Sequence, residues 1–289
     1  MPITTRAAGF AIAAIAATTP APALAGNAVY GGTTSAGAAI VIKADKKAKK
    51  LRSAIVSWKA ACDDGTRFPV SVEMKAVVAE PGFSPDFDEL ATSRNGKGRF
   101  AGTQLGGFDA GETSGTLKAS YSGKLTKKRA TGALDATITI IEKAGGTTIA
   151  TCRTGSVRYS ATRSPGRVFA GSTSQDHPVV VRLDARRRKV ANLLLGWESS
   201  TCKPDDAYFN VDESFGGFPL SDGHFGDAFA QTYTPDGGGE GKLDYDITGR
   251  VARTRASGTV RDNLTETDPA GAVTVACDSG IVPWEAVSG

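Results

Sequence analysis

The chain has 289 residues and a formal net charge of +4, with 40% hydrophobic and 22% charged residues. That length holds two domains of ordinary size, each with its own core. The composition does not argue for disorder, and so mild a charge does not by itself direct the chain to nucleic acid or an anionic membrane.

Residues 1–25 read as a secretory signal peptide. Arg6 supplies the positive n-region, AAGFAIAAIAA an apolar stretch too short to span a bilayer, and Ala23-Leu24-Ala25 the small-x-small cleavage pattern. Gly26 is then the mature N-terminus, and loss of Arg6 lowers the net charge to +3. No cysteine follows the cleavage site and no second long apolar run occurs. The expectation is a protein secreted to the extracellular space or cell envelope, with no membrane insertion of the mature chain. Its four cysteines are then expected to be oxidised.

An internal repeat organises the mature chain. The segment from Tyr30 to Trp58 aligns without a gap to the segment from Phe169 to Trp197. Gly32, Thr34 and Ser35 meet Gly171, Thr173 and Ser174, and the run Ile40–Asp45 meets Val179–Asp184. Further on, Phe100 and Cys152 lie as far apart as Phe225 and Cys277. Gly155, Val157, Tyr159 and Ala161 then match Gly280, Val282, Trp284 and Ala286. The first copy is longer by about 15 residues between Cys62 and Phe100. Four cysteines allow three pairings, and the repeat selects Cys62–Cys152 and Cys202–Cys277.

Within the copies the periodicity is that of strands. Ala54, Val56 and Trp58 alternate with Ile55 and Ser57, and Leu193, Leu195 and Trp197 repeat that face. Short Val, Ile and Thr-rich runs predict strands over 38–45, 51–61, 69–79, 115–123, 130–142, 146–153 and 155–162, separated by Gly, Asp and Lys turns. About seven or eight strands per copy predict an all-β chain of two tandem sandwich or barrel-like domains, because an open sheet would leave an apolar face wet. The first domain is placed at residues 26–163, a linker at 164–168 and the second domain at 169–289. An aromatic-x-Gly-x-Thr start, a Trp just before a Cys, Gly-x-Phe and a closing Cys-x-[Ser/Thr]-Gly make up the repeat signature. It resembles repeats of secreted bacterial proteins without assigned function, and that resemblance implies no activity.

Candidate chemistry is sparse. The two histidines, His177 and His224, align with Ala38 and Arg99 and have no local partners for zinc binding or base catalysis. The loop Ser221–Asp227, with Asp222, His224 and Asp227, is the better placed of the two. Asp63-Asp64, Asp205-Asp206, Asp212-Glu213 and the tract Asp236–Gly241 offer carboxylates of the kind calcium takes. Turn chemistry explains them more simply. Basic runs at Lys46–Lys50 and Arg186–Lys189 fall on the same hairpin of both copies, and Lys127–Arg129 forms a third. They lack the interleaved aromatics of a nucleic-acid reader, so no nucleic-acid partner is expected. Trp58, Trp197, Tyr159 and Trp284 recur at matched positions and read as core, while Tyr208, Phe215 and Phe218 are the aromatics open to a sugar-stacking role.

No catalytic, cofactor or metal residue is therefore assigned, with calcium the one cofactor weighed. The expected function is a secreted non-enzymatic binding or structural protein, with a glycan or cell-surface polymer as ligand class. The alternative is a secreted carboxylate-dependent hydrolase, with its site in the second domain or the cleft between domains.

Overall fold

The computed structural model describes residues 27–65, 67–78, 89–92, 98–110, 112–199, 201–203, 209–235 and 238–289. The signal-peptide reading of residues 1–25 lies outside them, as do Asp205, Asp206, Tyr208, Asp236 and Gly237. The described residues are all-β, with two sheets and no helix.

The first sheet has 10 strands: β1 (Asn27–Thr34), β2 (Ala39–Asp45), β3 (Leu51–Cys62), β4 (Arg67–Val78), β5 (Glu89–Thr92), β6 (Arg99–Ala110), β7 (Thr113–Leu125), β8 (Arg129–Glu142), β9 (Thr148–Arg153) and β10 (Val157–Thr162). Its hydrogen-bonded path runs from β10 through β1 to β8, and β10 pairs with β8 to close it on itself. The short β5 completes this circuit, parallel to β4 on one side and antiparallel to β6 on the other.

The second sheet has 11 strands: β11 (Val168–Thr173), β12 (Pro178–Leu183), β13 (Lys189–Ser199), β14 (Thr201–Lys203), β15 (Phe209–Phe215), β16 (Phe218–Pro219), β17 (His224–Tyr233), β18 (Gly241–Val251), β19 (Arg255–Thr267), β20 (Val273–Asp278) and β21 (Val282–Ser288). It runs β17-β18-β19-β21-β11-β12-β13-β15 and, among the described residues, has no pairing between β15 and β17. This sheet is a half-barrel.

Strand alternation builds each core. In β7, Leu117, Ala119 and Tyr121 turn inward while Thr116, Lys118 and Ser120 meet solvent, and in β18 Leu243, Tyr245 and Ile247 do the same. Cross-strand glycines admit a flat aromatic in both halves. Gly123 lies opposite Gly132 with the Tyr159 ring over them, and Gly249 lies opposite Gly258 with Trp284 over them. A methyl group at Gly132 or Gly258 would strike the ring and a neighbouring carbonyl, so only glycine fits.

The strands predicted from 38–45, 51–61, 69–79, 115–123, 130–142, 146–153 and 155–162 correspond to β2, β3, β4 and β7 to β10. The sheets carry more strands than seven or eight; in the first, β1, β5 and β6 were not predicted, and of these β5 and β6 are poor in β-branched residues. The glycine-rich Arg99–Ala110 leans on backbone pairing, with Phe100 in the core and buried Gln104 accepting from Tyr121 OH of β7 at 3.0 Å. Residues Arg163–Arg167 form a tight turn, with Arg167 and Val168 amides donating to Ser164 O.

Both disulfides join directly opposed residues, Cys62 with Cys152 across β3 and β9 and Cys202 with Cys277 across β14 and β20. They tie chain positions 90 and 75 residues apart. Replacing Cys202 and Cys277 together by Ala should lower the stability of the second half by about 4 kcal/mol, the chain entropy that such a loop restores to the unfolded state. Urea unfolding followed by tryptophan fluorescence measures it, and an unchanged midpoint would refute this assignment of the staple's role.

Candidate functional site

The two halves meet through the outer faces of their first three strands. Val29, Ala39, Val41 and Ile55 of the first half pack with Ala170, Val180 and Leu194 of the second, flanked by Val168 and Val287. Val41 and Val180 are fully buried, and β2 and β12 consequently hide both faces. Strand β1 lies against β11, β2 against β12, and β2 also meets β13 as β3 meets β12. Gly31 sits in this face. A Cβ there would approach Val180 Cγ1 to 2.8 Å. Arg182 lies at its margin, donating from Nη2 to Gly31 O at 3.4 Å, and burial holds its guanidinium pKa below the ordinary value.

At one rim of this apolar face the surfaces separate into a cleft of about 420 Å³. The turn Ala36–Ala39 forms one wall, Lys59 on β3 and Arg67 on β4 add two cations, and Leu194, Glu213 and Ser214 come from β13 and β15. Glu213 is the one carboxylate among the described residues that line it.

His177 and Glu198 occupy the positions aligned with Ala38 and Lys59. The imidazole is buried, 4% exposed, with Nε2 3.7 Å from Glu198 Oε2. The His177 amide donates to Thr173 Oγ1. Gln175 clamps Glu198 by donating to its carbonyl at 2.9 Å and accepting its amide at 3.0 Å. Burial pushes the His177 pKa down more strongly than the Glu198 carboxylate pulls it up. The ring is therefore neutral at pH 7, a packed side chain rather than a poised base.

The second half also buries a carboxyl group inside its core. Asp262 on β19 is 0% exposed, and Ser199 Oγ donates to it at 3.2 Å. Its amide donates to Ser279 Oγ at 2.9 Å. The Trp197 indole stands close enough to stabilise the charge but outside hydrogen-bond geometry. Burial raises the Asp262 pKa, partly offset by Ser279, Trp197 and Ser199. The signal in the sequence was an acid at the inward parity of Val260-x-Asp262-x-Leu264, which sequence reasoning passed over.

The remaining candidates disperse. Asp222 and Gly223, both at positive φ, form the two-residue turn closed by Ser221 and His224. His224 and Asp227 lie exposed along β17. Asp63 accepts the Thr151 amide. Asp45 and Asp184 cap equivalent basic hairpins by accepting the Lys49 and Lys50 amides and the Arg188 and Lys189 amides. The basic runs are thus the exposed arms of structured turns. Phe215 and Phe218 correct an expectation, since both are core. Phe215 stacks on Trp197 at 6.2 Å and Phe218 on Phe225 at 5.6 Å, leaving no free ring face for sugar. Among the described residues no three His, Cys, Asp or Glu side chains gather around a point that could hold a metal ion.

The chain matches no protein-family model, no curated protein and no solved structure.

A carboxyl whose pKa is raised in the folded state favours folding below its unfolded value, and that contribution is lost as pH rises through the folded value. Asp262→Asn should therefore be more stable than the parent at pH 8, by several degrees in Tm. The gap should shrink on acidification and vanish below the unfolded pKa of 3.8. Thermal melts of the two proteins at matched pH values measure it, and a gap independent of pH would contradict the burial argument.

Proposed function

We propose that this is an exported, non-enzymatic binding protein made of two copies of one β-domain, with its ligand site in the cleft between them. The observation that carries the reading is a difference between aligned positions at the two rims of one shared face. His177 fills space and pairs with Glu198 on one side, whereas Ala38 and Lys59 at the matching positions leave the other side open. Positions alike in both halves are accounted for by folding, so a cleft made where they differ is where recognition belongs.

Two disulfides suit an oxidising compartment, in keeping with export. The lining supports a glycan or cell-surface polymer carrying acid groups. Lys59 and Arg67 would meet a carboxylate or sulfate, while Glu213 and Ser214 accept or donate hydrogen bonds to sugar hydroxyls. Carboxylate-based glycoside hydrolysis requires a second carboxyl group across the bond to be cleaved. Glu213 stands alone among the described lining residues, which favours binding over turnover.

Titration calorimetry with oligogalacturonate as an acidic glycan is expected to show binding that weakens with salt. Lys59→Ala and Arg67→Ala should each reduce affinity about tenfold, as loss of a charge-assisted contact does. Neutral dextran should not bind. Equal affinity of both variants and the parent would overturn the site.

A further inference from the structure

In the first half the strand β5 lies between β4 and β6, and Leu90 projects from it into the core at 1% exposure. The strands in the corresponding places of the second half are β15 and β17. Apart from the two-residue β16, which pairs with β13 and comes near β17, no described strand lies between them, and the Cα atoms of β15 and β17 stay beyond 8 Å over most of their length, against about 5 Å for paired strands. The extra residues between Cys62 and Phe100 are what supply β5, and the second half lacks them.

We propose that the free edge of β17 is a docking site for an extended peptide strand, which adds to the half-barrel as β5 does to the first. This rests on reading the two halves as copies. The edge is ready for pairing. Gly223 O accepts the Val251 amide, so the odd positions of β17 turn toward β18 and the even ones, Gly226, Ala228, Ala230 and Thr232, turn outward. The Ala228 amide, on that outward side, is taken only by its neighbour's carboxylate, Asp227 Oδ1 at 2.9 Å. Beneath the edge lies an aromatic floor of Phe229 and Tyr233, both partly buried, with Phe229 5.1 Å from the Tyr245 ring. That floor suits an aliphatic side chain at the inward position of the incoming strand, the place Leu90 takes in the first half.

Charge identifies the occupant further. Asp227 stands on the edge strand and Glu266 is hydrogen-bonded to Tyr233 at the floor, and the aligned positions in the first half, Gly102 and Ile140, carry no charge. The favoured partner is therefore a peptide strand that carries an aliphatic residue and, two or four residues away on the same inward face, basic residues. Main-chain hydrogen bonds would supply affinity, and the inward and flanking side chains specificity.

The test uses the full mature protein and two ten-residue peptides. One has the sequence of residues 86–95, and the other carries Lys in place of Asp86, Asp88 and Glu89. The basic peptide is expected to bind with micromolar affinity, at least about tenfold tighter than the acidic one, and to slow hydrogen exchange at Gly226, Ala228, Ala230 and Thr232. Ala230→Pro removes an outward amide without touching the β18 ladder, so it should fold normally and abolish peptide binding. Asp227→Lys should reverse the charge preference. Oligogalacturonate binding by Ala230→Pro reports the cleft separately, so failure of one site leaves the other readable. Undiminished peptide binding by Ala230→Pro, no binding of either peptide at millimolar concentration, or exchange protection that arises instead from self-association of the protein would each overturn the proposal.

Discussion

Everything in this architecture depends on burying the outer faces of β1–β3 and β11–β13 against each other. A β-strand in a barrel normally keeps one face in water, and these strands do not. Ile40 and Ile42 fill the first core while Val41 fills the face between the halves, and Val179, Val180 and Val181 divide in the same way. Either half alone would expose Val41 and Ile55, or Val180 and Leu194, as a contiguous apolar patch of the kind that drives association. The covalent link between the halves therefore takes the place of dimerisation. The turn at Arg163–Arg167 is short enough to bring β10 directly into β11 beside that face.

The face fixes the backbones of β2 and β12 and leaves the rims free to differ. A buried histidine at one rim and an alanine at the other make the difference between a packed margin and a cleft. The same freedom operates on the far side of each barrel. With no described strand in the place of β5, the second half is open there, and larger side chains take up part of the volume. Phe215 stands in the place of Met74, Tyr245 of Ala119 and Phe229 of Gln104, and these three rings pack together with centroids 5.1 to 5.7 Å apart. Aromatic filling satisfies the apolar side of the gap. It does nothing for the backbone edge, whose amides need partners of their own.

How far the fold could be read from the chain depends on which signals are local. Runs with β-branched residues announced β2, β3 and β8, and the matched Trp and Cys spacings announced both disulfides and the buried tryptophans. Gly-rich β1 and β6 escaped because a strand held by its neighbours' hydrogen bonds needs no propensity of its own. The runs Ile40-Val41-Ile42 and Val179-Val180-Val181 carried more than was drawn from them. An unbroken apolar run, where alternation is the rule, means burial on two sides, and hence the contact between the halves. The candidate cleft was not legible, since Lys59, Arg67 and Glu213 come from three strands with no shared spacing. Phe215 and Phe218 misled because differing between copies was equated with exposure, when a ring can differ because it repairs a missing strand.

Asp262 and Asp227 show that repair reaching a limit. Both carboxyls lie on the inward parity of strands in the half that lacks β5, and each resists a different competing state. A charge on an edge strand disfavours indiscriminate sheet-to-sheet association, because a flat apolar partner would have to bury it. It does not disfavour a strand that brings a cation to the same place. Asp262, deeper in, ties Ser199 next to Cys202 to the β19 backbone near Ser279, and so holds the disulfide-bearing strands in register at the expense of a desolvated carboxyl group. The closed first half needs neither device, and carries Gly102 and Ala136 at the two aligned positions.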